Sequence, residues 1–201
     1  MREIGAREAS GWAALLVSLG MVACGSADGQ SAEPASSTTA AEAFDPMADM
    51  EQAVAQVEQK LVALAEAMTE EQYAWRPMEG VRSAGEVFMH VAADNYFLTL
   101  PAGVEAPAST GITLDYGATV VPYETRSATR AEIIADLKAS FAHLRAAMNE
   151  SAAEPNREID LFGRSSTVGG LWVATTTHMH EHLGQAIAYA RANHVVPPWS
   201  G

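Results

Sequence analysis

The chain has 201 residues, enough for one domain of ordinary size and an appended segment. Hydrophobic residues make up 48% of the chain, so a substantial core can form. The formal net charge of −13 excludes the basic surface that nucleic-acid binding needs, and it directs attention to small molecules, metals and other proteins as partners. Because the chain has a single cysteine, an intramolecular disulfide is excluded in any compartment.

The first 23 residues have the features of an export signal. Two arginines precede an apolar run over residues 12–23, which is too short for a transmembrane helix and typical of a signal peptide. Cys24 follows the small residue Ala23, and this junction resembles a bacterial lipobox, in which the cysteine is lipidated. We therefore expect a signal peptide over residues 1–23 and a lipid anchor on Cys24. The alternative is a chance cysteine behind a hydrophobic anchor.

Residues 24–44 contain mainly small and polar residues without apolar periodicity, which is typical of a flexible tether. Gly25 stands where an aspartate would retain a lipoprotein at the inner membrane. We therefore expect the protein at the periplasmic face of the outer membrane, with the membrane as its partner through the lipid. The globular domain is expected over residues 45–201.

An amphipathic helix is predicted at the start of this domain. Asp45 is a suitable N-cap and Pro46 suits the first helical position. The apolar positions that follow recur at helical spacing, and they are Met50, Val54, Val57, Leu61, Leu64 and Met68. A capping box formed by Ser83 and Glu86 predicts the beginning of a second helix.

The second helix carries two polar residues toward the core. Val87 and Val91 mark its buried face, and His90 lies beside them on the helical wheel. Asp94 follows one turn later on the same side. Because ligating imidazoles usually donate their second N–H to an acceptor, Asp94 is a candidate to orient a histidine. A hydrogen-bonded core residue is the alternative of equal weight.

A long connection separates the second predicted helix from the third. Residues 101–127 lack helical periodicity, and a short extended piece is expected at residues 119–121. Connections of this length often form a lid or a pocket wall. Thr129 and Glu132 match a second capping box, and the apolar spacing after them predicts the third helix. His143 falls off the apolar stripe of that helix, so it is predicted to be a solvated surface residue.

Three of the six histidines fall within five residues near the C-terminus. On a strand, His178, His180 and His182 would share one face, whereas on a helix His178 and His182 share a face and His180 points away. The apolar residues that follow recur at helical spacing, and no proline interrupts residues 168–193. We therefore predict a fourth helix, with Thr167 as its N-cap.

Four amphipathic helices imply an all-α four-helix bundle with a long connection between helices two and three. A second brief extended piece is expected within residues 158–163. In such a bundle His90 can converge with His178 and His182. Neutral imidazoles one helical turn apart can hold a divalent metal together with a third ligand from a facing helix.

Five segments carry a family resemblance, and they are residues 73–77, 80–83, 89–91, 161–164 and 178–191. Each segment is a weak signal alone, but their combination over residues 45–201 resembles the DinB/YfiT-like superfamily. Members of this family look like four-helix bundles with a three-histidine metal site that is often assigned nickel or zinc. The family name derives from DNA-damage-inducible genes and does not mean a DNA polymerase.

The resemblance implies that His90, His178 and His182 bind zinc or nickel. Gln185 and Tyr189 lie on the ligand stripe, where they are candidates for a pocket, with core packing as the alternative. Some relatives transfer low-molecular-weight thiols, which suggests a thiol S-transferase acting on a small-molecule substrate or thiol. A homodimer is the candidate assembly. A hydrolase is the second candidate, because the expected location outside the inner membrane is one where thiol cofactors are scarce.

A non-catalytic metal- or ligand-binding lipoprotein with a structural metal is the second class of function. A fourth protein ligand would favour a structural role, whereas a position open to water would favour catalysis. The sequence contains no G-x-S-x-G motif, no P-loop and no usable nucleophilic cysteine. His194 stands where similar proteins often have glycine, which is expected to change the end of the fourth helix and not the metal.

Overall fold

Four long helices form most of residues 44–200, the part of the chain that the computed structural model describes. The predictions for residues 1–23, for Cys24 and for the tether up to residue 43 lie outside the described residues. No described helix is both long and apolar enough to cross a bilayer. The elements are α1 (Pro46–Ala67), α2 (Glu70–Ala74), α3 (Ala84–Phe97), α4 (Val121–Thr125), α5 (Arg130–Ser151), β1 (Glu158–Asp160), β2 (Ser165–Thr167) and α6 (Val168–Ala192).

Each long helix begins at a residue whose side chain accepts hydrogen bonds from the first-turn N–H groups, which have no partner within the helix. The four capping residues are Asp45, Ser83, Thr129 and Thr167. Ser83 and Thr129 form reciprocal capping boxes with Glu86 and Glu132. The four predicted helix starts are therefore confirmed.

The long helices pack as a ring in the order α1, α5, α3, α6, because α1 and α3 each contact both α5 and α6. The largest fully buried side chains at the centre are Trp172, Phe88, Phe141, Leu61, Leu64 and Met68. Burial of one such side chain contributes about 1.5–3 kcal/mol. The indole N–H of Trp172 donates to Ser151 Oγ at 3.0 Å, so this core residue leaves no unpaired donor. The predicted all-α four-helix bundle is confirmed.

The long connection between α3 and α5 is present, but it is helical where an extended piece was expected. The chain forms a π-helical turn over Tyr116–Val120 and continues directly into α4. Asp115 caps this turn through a hydrogen bond from Ala118 N, and Pro122 suits the first turn of α4. Val120 is fully buried in the apolar cluster around Phe97, so tertiary packing overrides the β-propensity of residues 119–121.

A hairpin whose turn has two central residues joins β1 to the antiparallel strand β2. This confirms the extended piece expected within residues 158–163. Leu161 N donates to Arg164 O at 2.8 Å, and Arg164 N donates to Leu161 O at 3.2 Å. The central residues Phe162 and Gly163 have φ values of 54° and 83°. This is the geometry of a type I′ turn, which favours asparagine and glycine and is unfavourable for phenylalanine.

The C-terminus of α6 is closed by a Schellman motif. Val195 N donates to Ala190 O at 2.9 Å, and His194 N donates to Arg191 O at 3.0 Å. His194 has a φ of 60°, which lies in the left-handed region that glycine adopts without strain. The backbone at this position therefore has a conformation that glycine suits better than histidine.

Candidate metal centre

Two helices each supply two residues, one turn apart, to a single cluster. His90 and Asp94 lie on α3, and His178 and His182 lie on α6. Because α3 and α6 are neighbours in the ring, the two pairs face each other. One potential ligand atom from each residue lies within 4.8 Å of the others. The three histidines therefore converge as predicted, and Asp94 joins them.

The three imidazole rings stand nearly perpendicular to one another around a common point. The ring centroids of His90 and His182 are 4.5 Å apart, as are those of His178 and His182. Asp94 Oδ2 lies 2.6 Å from His178 Nε2 and 3.3 Å from His90 Nε2. The sequence predicted that Asp94 would orient a histidine by accepting a hydrogen bond from the ring nitrogen that faces away from the metal. In the structure its carboxylate instead lies among the three rings, against Nε2 of His178 and of His90.

Glu124 of α4 holds His90 from behind. Its Oε1 atom lies 2.6 Å from His90 Nδ1, and because an ionised carboxylate only accepts, Nδ1–H is the donor. His90 Nε2 is then left with its lone pair toward the cluster, which is the form that binds a metal. Arg82 and the Tyr116 hydroxyl also donate to Glu124, each at 3.0 Å.

The carboxylate of Glu124 is buried, yet it stays ionised. Burial raises its pKa, but the hydrogen bonds from His90 and Arg82 and the positive charge of Arg82 outweigh burial and hold the pKa below its ordinary value. Sequence reasoning missed Glu124, because the connection in which it lies was not expected to form a helix that turns toward the bundle.

Gln185 and Tyr189 continue the cluster along α6. His182 Nδ1 donates to Gln185 Oε1 at 3.0 Å, and Gln185 Nε2 donates to the Tyr189 hydroxyl at 3.1 Å. These two residues were candidates for the pocket, and the structure places them behind His182, where they fix its ring. Burial lowers the pKa of His182, so that the neutral imidazole is favoured.

Two buried atoms of the cluster have no hydrogen-bond partner among the described residues, His182 Nε2 and Asp94 Oδ1. Such atoms are rare in native proteins and call for a ligand. At zinc bond lengths of about 2.0–2.2 Å, tetrahedral ligand atoms are roughly 3.4 Å apart, which is within the 4.8 Å limit on the separations of these four ligand atoms. Nitrogen and carboxylate donors suit a divalent transition metal, so these four residues fit such an ion.

The two remaining candidate histidines differ in their surroundings. His180 is exposed, and its Nδ1 lies 2.8 Å from Thr176 O within α6, as the helical interpretation predicts. The prediction that His143 is a solvated surface residue is wrong. It is half-buried, with Nε2 at 3.1 Å from Thr99 Oγ1 and its ring against Tyr96. The segment after α3 covers it, which a helical wheel of α5 alone cannot show.

A cavity of about 250 Å³ lies beside the cluster, and Asp94 and His178 form part of its wall. The rest of the wall is largely apolar and comes from α3, α6, the π-helical turn and the hairpin. The candidate metal centre is therefore next to a space that a small molecule can enter.

A family model described as the DinB superfamily matches residues 53–186. The chain belongs to the DinB superfamily. The matched region contains His90, Asp94, His178 and His182, so the whole cluster lies within the DinB domain. No functionally curated protein is significantly similar to the chain in sequence.

Solved structures of DinB-like proteins share this fold. One from Bacillus cereus ATCC 10987 has a TM-score of 0.60 at 14% identity, covering 74% of this chain and 93% of its own. Another, from Bacillus subtilis, has a TM-score of 0.56 at 19% identity, covering 76% of this chain and 96% of its own. At these identities the likeness shows the DinB bundle, and the chemistry depends on this chain's own residues.

Proposed function

We propose that this protein is a metal-dependent enzyme in which His90, His178 and His182, with Asp94, hold one zinc or nickel ion. The observation that carries the proposal is the convergence of four buried or half-buried ligand groups beside a cavity. A structural site is normally closed to the solvent, whereas a catalytic site keeps access for a substrate. The cavity supplies that access at Asp94 and His178.

The bound ion would supply a Lewis acid that activates a thiol or a water molecule. Glu124 and Gln185 hold the rings of His90 and His182 with their lone pairs toward the ion. Asp94 would offset part of the 2+ charge. Thiol transfer to a small electrophile is the reaction that the family resemblance favours, and hydrolysis is the second.

A structural metal is the competing function, and one observation favours it. Asp94 provides a fourth protein ligand, which would complete a tetrahedral shell without water. In that case the protein would be a non-catalytic binding lipoprotein. The two functions differ in whether a small molecule can reach the metal.

Elemental analysis of the purified full chain tests the proposal, with His178→Ala as the site variant and His180→Ala as the matched control on the same helix. We expect about one zinc or nickel per wild-type chain and per control, and almost none in His178→Ala. Cobalt substitution then separates the functions. A change in the cobalt absorption spectrum on addition of a small thiol supports the enzyme, and an unchanged spectrum supports the structural metal.

We also propose that the chain is exported and anchored through a lipid on Cys24 at the periplasmic face of the outer membrane. The short apolar run and the small-residue tether support this location. Mass spectrometry of the membrane fraction should find a lipidated N-terminal Cys24, and a chain that retains residues 1–23 would refute the proposal. Whether the domain forms a homodimer can be measured by sedimentation of the detergent-extracted protein.

A further inference from the structure

The cavity beside the metal centre has an aromatic wall that ends at the tip of the hairpin. Phe162 stacks on Phe97 with ring centroids 4.9 Å apart and planes only 4° from parallel. The ring of Tyr116 meets Phe97 edge-on at 5.1 Å. Leu171 of α6, fully buried, forms part of the same wall. Flat aromatic surfaces of this kind favour a flat, apolar ligand.

Phe162 occupies its position at an energetic cost. Its φ of 54° is unusual for a bulky residue, and a type I′ turn would be more stable with asparagine there. The side chain is also 48% exposed, so its packing recovers only part of the hydrophobic energy. Hairpin stability therefore does not account for phenylalanine at this position, whereas a role as a cavity wall does.

Arg164, two residues further on, places a cation at the same cavity. Five other arginines form ion pairs with carboxylates. Within residues 44–200, Arg164 and Arg191 have neither an ion pair nor a side-chain hydrogen bond, although the chain has a net charge of −13, and of these two Arg164 is the one at this cavity. A free guanidinium in an acidic protein is suited to a carboxylate, which it can bind through two parallel hydrogen bonds.

We propose that this cavity is the substrate site and that it takes a small aromatic carboxylate. The aromatic body lies against Phe97 and Phe162, and the carboxylate pairs with Arg164. With the carboxylate on Arg164, the ligand's other end faces Asp94 and His178, which line the same cavity. At about 30 Å³ per water-sized group, 250 Å³ holds roughly eight such groups, which is close to the size of a benzoate. The inference rests on the proposed function, because it assigns the substrate class of that site.

Fluorine NMR titration of the full chain with 4-fluorobenzoate tests this assignment, with neutral 4-fluorobenzamide as the matched probe. Arg164→Gln removes the cation, and Arg191→Gln removes another exposed arginine that lies outside this cavity. We expect the wild type and Arg191→Gln to bind 4-fluorobenzoate equally, and Arg164→Gln to bind it at least tenfold more weakly. Binding of 4-fluorobenzamide should be weak and unaffected by Arg164→Gln.

Phe162→Asn tests the aromatic wall without disrupting the turn, because Asn-Gly is the favoured pair of a type I′ hairpin. This variant should keep its circular dichroism spectrum and lose most binding of 4-fluorobenzoate. The proposal is overturned if the wild type does not bind 4-fluorobenzoate or if Arg164→Gln binds it normally. It is also overturned if Phe162→Asn binds it normally while folded.

His182→Ala distinguishes failure of this inference from failure of the proposed function. If the wild type holds no metal but 4-fluorobenzoate binding still depends on Arg164, the ligand site stands and the metal-dependent function falls. If metal is bound and only His182→Ala abolishes 4-fluorobenzoate binding, the carboxylate binds at the metal centre. That result leaves the metal and overturns the assignment of Arg164.

Discussion

Glu124 Oε1 lies 2.6 Å from His90 Nδ1, although the two residues are 34 positions apart in the chain. The contact joins α4, a five-residue helix in the long connection, to α3 in the bundle. A carboxylate at this atom fixes the ring orientation and tautomer of His90 and makes its inner nitrogen more basic. The connection between the long helices is therefore part of the candidate metal centre.

Glu124→Gln should weaken metal binding about 10- to 100-fold, the usual effect of losing an acceptor behind a ligand histidine. The amide keeps the shape of the side chain and removes its charge. A competition titration with a chelator measures the metal dissociation constant. Glu71→Gln, on the exposed face of α2, is the matched control and should bind metal as the wild type does. An unchanged constant for Glu124→Gln would mean that the carboxylate has no role at the site.

Metal should stabilise the fold, because an ion that binds only the native state shifts the unfolding equilibrium. At one hundred times its dissociation constant the gain is about 2.7 kcal/mol, and for a domain of this size the melting temperature should rise by roughly 5–10 °C. Differential scanning calorimetry with zinc or with a chelator measures this shift.

The shift should vanish in His90→Ala, His178→Ala and His182→Ala. It should persist in His180→Ala and His143→Ala, because neither of those rings belongs to the cluster. A lost shift in His180→Ala would contradict the helical arrangement of the ligands. A full shift in His90→Ala would remove α3 from the metal centre.

His194→Gly should stabilise the domain by about 0.5–1 kcal/mol. The residue is exposed and has a φ of 60°, so glycine relieves backbone strain and loses little packing. Chemical denaturation measures the free energy of unfolding. Ala188→Gly, at an exposed position of α6, is the control and should lower the free energy of unfolding by a similar amount. If His194→Gly has a lower free energy of unfolding than the wild type, the contacts of the imidazole stabilise the domain by more than the backbone strain destabilises it.

His143 should make the fold less stable in mild acid. Burial lowers its pKa below the ordinary value of about 6.5, so the unfolded chain takes up this proton more readily than the folded one. The contribution of neutral His143 to the free energy of unfolding is therefore fully present above about pH 6.5. It is lost as the pH falls from 6.5 toward the lower pKa of the folded state.

His143→Gln should reduce the loss of unfolding free energy between pH 7.5 and pH 5.5. Urea denaturation in the presence of a chelator measures this loss without any contribution from metal. The exposed His180→Gln is the control and should keep the wild-type difference. An identical loss in His143→Gln and the wild type would contradict a buried, neutral His143.

Local signals predicted the helices and the convergence of the three histidines well. The caps at Ser83 and Thr129 depend on residues three positions away, and the shared face of His178 and His182 follows from helical spacing. Glu124 could not be predicted in this way, because its place depends on Val120 burying against α3. The prediction for His143 was wrong for the same reason, since the residues that cover its ring, Tyr96 and Thr99, come from a different part of the chain.

Asp94 shows a finer limit of sequence patterns. Its face on α3 was predicted, but a helical wheel does not give the distance across to α6. Only the packing of the two helices sets the 2.6 Å separation between Asp94 Oδ2 and His178 Nε2. That separation makes the carboxylate a potential ligand.

The paired ligands on α3 and α6 have a consequence for chain connectivity. Asp94 and His178 are 84 positions apart, so an ion bound by both would close a long loop in a chain that cannot form an internal disulfide. In the chain-entropy model, a permanent link over such a loop lowers the free energy of folding by roughly 4–5 kcal/mol. A metal link of this kind would survive reducing agents and open in acid or chelators, the reverse of a disulfide's sensitivities.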